Sequence, residues 1–137
     1  MLRRARFSSS RRRTLRMIGE LRDIADNVRD RFFEDIEMFY KEGYSEHDCY
    51  EINSEVAEKI KSKLGLNAKV VPILFLADYG VEHYAVEVKA GTKILVVDAV
   101  PELTGLIPSW CSIESSFVGT YREYEKFFSK IVSRNND

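Results

Sequence analysis

The sequence predicts an α+β protein in which helices pack on an antiparallel β-meander. Apolar residues recur at three- and four-residue steps over residues 17–64, a period typical of two amphipathic helices. Three apolar runs between residues 68 and 100 are joined by short glycine-bearing turns, as in consecutive hairpins. A capping-box pattern at Thr120 and Glu123 predicts a C-terminal helix. The predicted order is α, α, β, β, β, α, in one domain that spans residues 17–137.

The two N-terminal helices differ in how clearly their ends are marked. The first covers residues 17–41, and Gly43 breaks the pattern before the second. Ser45 and Asp48 offer a start for the second helix, and Gly65 fits the left-handed position that ends many helices. Its apolar stripe consists of Cys49, Ile52, Val56, Ile60 and Leu64. The stripe therefore predicts a buried face with Cys49 at its N-terminal edge.

Three strands are predicted over residues 68–77, 81–89 and 93–100. Pro72 places the first strand at the edge of the sheet or at a bulge, because proline has no N–H to donate. In the second strand, Tyr84 lies on one face and His83 on the other.

The C-terminal part of the chain is predicted as a loop and a helix. The loop covers residues 101–116, and the helix runs from Thr120 to about Ser133. The helix has an apolar stripe formed by Tyr121, Tyr124, Phe128 and Ile131. A stripe at this spacing is more typical of a core than of a ligand site.

Charge is distributed unevenly along the chain. Residues 1–16 hold seven of the 21 basic residues and no acidic one, so the other 14 stand against 22 acidic residues, a net charge of about −8. A body this acidic disfavours nucleic-acid binding, which is conceivable only through residues 1–16. We predict that residues 1–16 form a disordered tail or precede a true start at Met17. An acidic-membrane contact and an organelle-targeting peptide are the alternatives.

The composition, with 45% hydrophobic and 31% charged residues, is that of a globular protein. No apolar run approaches the ~20 residues of a membrane helix, so no membrane insertion is expected. Two cysteines do not make a disulfide framework, which favours a reducing compartment and a cytoplasmic location. No cofactor is expected.

Cys49 and a histidine could together form a nucleophile and a base. The N–H groups and the dipole at a helix N-terminus favour a thiolate at Cys49, although a small buried cysteine is also a common core residue. His47 and His83 are the only imidazoles in the chain, so a general base must be one of these two.

The hairpin between the second and third strands brings Asp98 close to His83. If Ala90 and Gly91 form the loop, Asp98 lies directly opposite His83 in the neighbouring strand. If Gly91 and Thr92 form it, Asp98 is a diagonal neighbour on the same face. Both registers bring the two side chains within contact reach, with about 5 to 8 Å between their Cβ atoms. Cys49, His83 and Asp98 are therefore the predicted catalytic residues.

A resemblance to the transglutaminase-like branch of papain-fold thiol enzymes rests on two runs, DCYEINSEVAEKIKSKLGLNAKVVPI and VEHYAVEVKAGTKILVVDAV. Members of that group place a cysteine at the start of a core helix, a histidine at the start of a strand and an aspartate at the end of the next strand. The order and spacing of Cys49, His83 and Asp98 are similar to this pattern, and the match covers roughly residues 45–101.

The resemblance implies a papain-like core and acyl-thioester chemistry on an amide bond. In this scheme Cys49 attacks the carbonyl carbon, His83 protonates the leaving amine, and Asp98 orients the imidazole. The implied partner is a peptide or another amide-containing substrate. Either water or an amine completes the transfer.

The chain departs from papain-like peptidases before the cysteine. Those enzymes carry an oxyanion-hole glutamine there, whereas this chain has Gly43 six residues upstream and no glutamine at all. The N–H of Cys49, with Tyr44 or His47 as a side-chain donor, would have to hold the oxyanion. Asp48 adds a negative charge that opposes thiolate formation. An inactive papain-like fold that serves as a protein-binding module is therefore the main alternative.

A zinc-binding domain is the less favoured alternative. The chain offers two histidines and two cysteines as ligands, and four is the number that a structural zinc site takes. They are His47, Cys49, His83 and Cys111. The sequence has no CxxC knuckle, so no metal is expected, and Cys111 is predicted to pack in the loop.

Overall fold

Helices cover the two faces of a four-stranded antiparallel sheet in the computed structural model, which describes residues 2–34, 48–108, 113 and 115–136. The helices are α1 (Leu2–Glu34), α2 (Asp48–Leu64) and α3 (Tyr121–Asn136). The strands are β1 (Asn67–Pro72), β2 (Tyr84–Ala90), β3 (Lys93–Asp98) and β4 (Phe117–Gly119), in this order across the sheet. The predicted α+β class is confirmed, with one strand more than expected.

The sheet separates two hydrophobic clusters because side chains alternate along each strand. On one face, Val86 and Val88 of β2 and Val97 of β3 pack against α1 and α2. On the other face, Ala85 and Val96 pack against α3. The alternation predicted for the second strand is therefore confirmed.

Helix α1 begins at Leu2, whereas the sequence predicted a disordered tail over residues 1–16 and a helix from residue 17. Arginine, leucine and alanine all have high helix propensity, and residues 2–16 contain neither proline nor glycine to stop the helix. The predicted end near residue 41 lies outside the described residues. The buried stripe of α1 consists of Leu21, Ile24, Ala25, Val28 and Phe32.

Helix α2 follows the predicted pattern closely. Its buried face includes Cys49, Ile52, Val56 and Ile60, all on the predicted stripe. Gly65 ends the helix with φ of 65°, and its N–H donates to the carbonyl oxygen of Lys61 at 3.0 Å. The proposed cap at Ser45 lies outside the described residues.

The first strand ends earlier than predicted, at Pro72 rather than at residue 77. Strand β1 is an edge strand, as the proline indicated. A short 3-10 helix (Leu74–Tyr79) continues the chain and ends at Gly80, whose φ is 73°. Leu74 is 79% exposed, so the continuous apolar run did not signal a longer buried strand.

The hairpin of β2 and β3 adopts the second of the two predicted registers. Ala90 pairs with Lys93, which leaves Gly91 and Thr92 as the loop. Gly91 has φ of 62°, which suits the first position of a type II′ turn. Strand β2 starts at Tyr84, three residues later than predicted, so His83 immediately precedes it. Strand β3 ends at Asp98 rather than at residue 100.

Strand β4 is the element that the sequence analysis missed, because three residues ending in a glycine carry no periodic signal. Val97 of β3 pairs with Val118, and Asp98 pairs with Phe117. A short 3-10 helix (Pro101–Thr104) lies within the predicted loop. The capping box of α3 is confirmed in both directions: Thr120 Oγ1 accepts from the N–H of Glu123 at 3.1 Å, and Glu123 Oε1 accepts from the N–H of Thr120 at 3.0 Å.

Candidate active site

Cys49 lies in the first turn of α2 with only 1% of its surface exposed. Its helix packs against β1 and β2, so the N-terminal turn is held beside the start of β2. The Cys49 side chain adjoins the imidazole of His83: burial lowers the pKa of His83, Asp98 raises it, and Cys49 adds a smaller increase. The predicted nucleophile and base are therefore neighbours.

His83 and Asp98 form a buried contact in which His83 Nε2 lies 2.7 Å from Asp98 Oδ2. Neither side chain is exposed to solvent. The register explains the contact: Val86 pairs with Val97, so Ala85 lies across from Asp98 and His83 is the next residue on that face. The diagonal arrangement is one of the two predicted from the sequence.

Asp98 is held by three further donors besides His83. Asn53 Nδ2 donates to Oδ1 at 3.1 Å, and the N–H of Val100 donates to the same oxygen at 3.0 Å. The Tyr124 hydroxyl donates to Oδ2. Both oxygens of a fully buried carboxylate are thereby satisfied, which offsets the cost of removing the charge from water.

The charges of His83 and Asp98 stabilise each other. Burial alone would raise the pKa of Asp98, but the positive charge of His83 and the hydrogen bonds from His83, Tyr124 and Asn53 together lower it. Burial alone would lower the pKa of His83, but the charge of Asp98 and its hydrogen bond, with the contribution from Cys49, raise it to about 10. The geometry therefore favours an imidazolium paired with a carboxylate at neutral pH.

The second nitrogen of the imidazole is left for the thiol. Asp98 occupies Nε2, and the buried Nδ1 has no hydrogen-bond partner of full geometry among the described residues. Asp98 and Cys49 are the two side chains that raise the pKa of His83. Because Asp98 contacts Nε2, Nδ1 is the nitrogen available to exchange a proton with the Cys49 sulfur. Contacts of this kind are often loose without substrate.

Asn53 joins the cysteine helix to both strands of the site, and the sequence analysis did not identify it. Its Nδ2 donates to the carbonyl oxygen of Tyr84 at 3.0 Å as well as to Asp98, and its Oδ1 accepts from the N–H of Ala99 at 3.0 Å. It is fully buried one helical turn after Cys49. A polar residue on the buried face of an amphipathic helix was the available signal.

Tyr124 was predicted as a core residue of the C-terminal helix, and it is fully buried there. Burial, followed by the charge of Asp98 and the hydrogen bond to it, raises the pKa of Tyr124 well above its usual value. The hydroxyl therefore stays protonated and acts as a donor to Asp98. The apolar stripe did not reveal this polar role.

An exposed aromatic surface lies beside the cysteine. The rings of Tyr50 and Tyr84 meet edge to face with 5.3 Å between their centroids, and Tyr50 is 50% exposed. The charge of Glu82 and its hydrogen bond raise the pKa of Tyr84, with smaller contributions that include the charge of Cys49. The two rings are therefore the partly exposed aromatic surface next to the buried Cys49 side chain.

Several predicted residues lie outside the described part of the chain. They are the tentative oxyanion donors Tyr44 and His47 and the possible zinc ligand Cys111. Among the described residues, no three His, Cys, Asp or Glu side chains are grouped as metal ligands would be. Within that same part, no helix is both long and apolar enough to cross a bilayer.

No protein-family model, no curated protein and no solved structure matches this chain. The geometry of the site is therefore the basis on which a function can be proposed.

Proposed function

We propose that the protein is a thiol hydrolase or acyltransferase of the transglutaminase and papain type that acts on an amide bond. Cys49 is the nucleophile, His83 the proton carrier and Asp98 the orienting acid. One observation carries the proposal: a buried imidazole is fixed by a carboxylate on one nitrogen, and a helix N-terminal cysteine acts on the same ring. These are the three roles of a nucleophilic triad.

The reaction follows from the positions of these groups. The Cys49 sulfur attacks the amide carbonyl carbon while His83 is protonated. As the C–N bond breaks, His83 gives its proton to the leaving amine, and the acyl group remains on the sulfur as a thioester. Neutral His83 then takes a proton from water or from an acceptor amine, which attacks the thioester and releases the thiolate. Asp98 keeps the ring oriented throughout and stabilises its cation.

The oxyanion that forms on the carbonyl needs hydrogen-bond donors. The N–H of Cys49 lies in the first turn of α2, at the end of the helix toward which the backbone N–H groups and the positive end of the helix dipole are directed. We propose it as one donor, with Tyr44 or His47 as candidates for the second. The substrate would be a peptide or another amide that approaches over the Tyr50 and Tyr84 rings.

A papain-like core without catalysis, used as a protein-binding module, is the second candidate. The observation in its favour is that Cys49 is only 1% exposed, so a carbonyl can reach the sulfur only if the surrounding chain moves. The module would retain the Asp98 network as a structural element.

The deciding experiment measures thiolate formation at Cys49 as a function of pH. A Cys111→Ser chain leaves Cys49 as the only thiol, and the ultraviolet absorbance of its thiolate reports ionisation even where a reagent cannot enter. Iodoacetamide alkylation then reports access. The same chain with His83→Gln is the matched comparison.

An enzyme of the proposed type should show thiolate at roughly pH 6, well below the value of about 8.5 for an unperturbed thiol. The His83→Gln chain should lose this thiolate and alkylate more slowly at that pH. A protonated thiol at neutral pH in both chains would contradict the proposal of a thiol enzyme and would favour the second candidate, a protein-binding module.

A further inference from the structure

Two depressions lie along the free edge of β4, and no residue of the proposed triad lines either of them. A cavity of about 260 Å³ lies between α1 and β4 and includes Arg22, Ser116 and Val118 in its lining. A groove of about 500 Å³ lies between β4 and α3. Phe117 and Phe127 line both, and we call the two neighbouring depressions together the β4 cleft.

Two polar atoms in the cavity are buried without a partner among the described residues. They are Arg22 Nε and Ser116 Oγ, and Ser116 as a whole is only 3% exposed. The N–H of Ser116 is satisfied separately by Asp26 Oδ1 at 2.7 Å. A buried donor without a partner is unfavourable, and a ligand with acceptor atoms would satisfy it.

The β4 cleft is lined by positive charge, although the body of the protein is acidic. Lys126, Lys130 and Arg134 follow one another along α3 at four-residue steps, and Arg22 adds a fourth cation from α1. None of the four forms an ion pair with another described residue. Glu123 is the one acid among the described lining residues, and its carboxylate already caps α3, while the Asp26 carboxylate beside the lining accepts from the N–H of Ser116. A negatively charged partner is therefore complementary to this surface.

Between the charges, the floor of the β4 cleft is apolar, and its side is a sheet edge. The rings of Phe117 and Phe127 lie 5.5 Å apart and are both partly exposed, and Ile131 extends the surface along α3. Among the described strands, β4 pairs only with β3, so its other edge offers main-chain groups to an added strand. Along β4, Phe117 faces α3, whereas Ser116 and Val118 face α1.

We propose that the β4 cleft binds an extended acidic peptide segment of another protein, in which acidic and apolar side chains alternate. The alternation places apolar side chains on Phe117 and Phe127, and it places a carboxylate at Arg22 Nε and Ser116 Oγ. Lys126 and Lys130 flank the segment. This surface goes beyond the proposed reaction, because no residue of the proposed triad lines it.

The test follows amide chemical shifts of the complete chain during titration with two blocked peptides. One alternates glutamate and leucine, and the matched control alternates glutamine and leucine. The glutamate peptide should shift the resonances of residues 116–119 and 126–131 and bind at least tenfold more tightly than the control. Salt should reduce this difference, because the charges are close to solvent.

Substitutions in the β4 cleft and outside it complete the test. Arg22→Gln and Lys130→Gln should each weaken binding of the glutamate peptide several-fold. Arg31→Gln removes an exposed cation elsewhere on α1 and should leave binding unchanged, as should Cys49→Ser, which removes the proposed nucleophile. Lys130 is exposed, so its variant tests the proposal even if Arg22→Gln does not fold.

Equal affinity for the two peptides, no binding of either, or full affinity in both cleft variants would overturn the proposal. A dimer in sedimentation that Lys130→Glu dissociates would also overturn it, because the occupant would then be a second copy of this chain. Since binding is measured without turnover and in Cys49→Ser, failure of the enzyme proposal cannot be mistaken for failure of this one.

Discussion

His83 links the stability of the fold to the proposed chemistry. The imidazole is buried, Asp98 balances its charge, and its pKa is raised to about 10 from an ordinary value of 6.5. In the unfolded chain the same side chain loses its proton near pH 6.5. Between these two pH values the folded protein binds one proton more than the unfolded chain, so protonation favours folding there.

A Cys49 thiolate in the folded protein would cancel this difference below about pH 8.5, because the unfolded chain keeps that thiol proton. In a Cys49→Ser chain we therefore expect the free energy of unfolding to fall as pH rises from about 6.5 to about 10. The contribution of His83 is fully present below pH 6.5 and is lost progressively up to its folded pKa. The expected slope is about −1.4 kcal/mol per pH unit, which corresponds to one proton. Urea denaturation at several pH values between 7 and 9 measures this slope.

The control is the same series with His83→Gln, which keeps a hydrogen-bonding side chain but has no proton to lose in this range. The Cys49→Ser chain should have a slope more negative than the Cys49→Ser, His83→Gln chain by about 1.4 kcal/mol per pH unit, which corresponds to one proton. Parallel curves for the two chains would show that His83 is not held as a cation in the fold.

At the scale of elements, Arg29 connects α1 to the chain that follows β3. Its guanidinium donates to the carbonyl oxygens of Ala99 at 2.9 Å and Ile113 at 2.8 Å, and it pairs with the Glu102 carboxylate. It also lies 4.4 Å from the centre of the Phe33 ring. Since Ala99 directly follows Asp98, α1 fixes the segment that carries the proposed orienting acid.

Arg29→Met should lower the free energy of unfolding by about 3 kcal/mol, because it leaves Glu102 and two carbonyl groups without their partner in a mostly buried site. Arg31→Met is the matched control on the same helix. Arg31 pairs with Glu55 on the surface, where the Arg31 side chain is 56% exposed and the Glu55 side chain 45% exposed. Its loss should therefore lower the free energy of unfolding by less than about 1 kcal/mol. Chemical denaturation of the two variants beside the parent measures both losses, and equal losses would contradict the assigned role of Arg29.

For the whole molecule, the sequence predicted those features that depend on local pattern. Cys49 on a buried helical stripe and the reciprocal cap at Thr120 and Glu123 are encoded within a few residues. The contact of His83 with Asp98 followed from the length of a two-residue turn, and only the choice between two registers required the structure. A short connection determines register, so a non-local pair became predictable here.

The remaining features depend on which surfaces meet, and periodicity carries no information on that. Strand β1 ends at Pro72, although the apolar run in the sequence continues beyond it, because a 3-10 helix forms over the next residues instead. Asn53 and Tyr124 reach Asp98 from two different helices, one on each face of the sheet. Their identities as polar or aromatic residues on buried faces were visible, but their common partner was not.

Removal of residues 1–16 would test how much of α1 the protein needs in order to fold. The described side chains from Arg11 to Arg16 are exposed or partly exposed, and Lys93 Nζ donating to Thr14 Oγ1 at 3.1 Å is an exposed contact. The buried stripe of α1 starts at Leu21, which has no exposed surface. For the described side chains of this helix, most of the packing therefore lies beyond residue 16.

A chain that begins at Met17 should fold and lose less than about 1.5 kcal/mol of unfolding free energy, the value of one modest hydrogen bond. A chain that begins at Arg22 also loses Leu21 from the core and should lose at least about 3 kcal/mol, because the site it fills would be left as a cavity. Urea denaturation of the two chains beside the parent separates these cases. If removal of residues 1–16 alone unfolded the protein, the exposed part of α1 would have to be stabilised by contacts that its described side chains do not make.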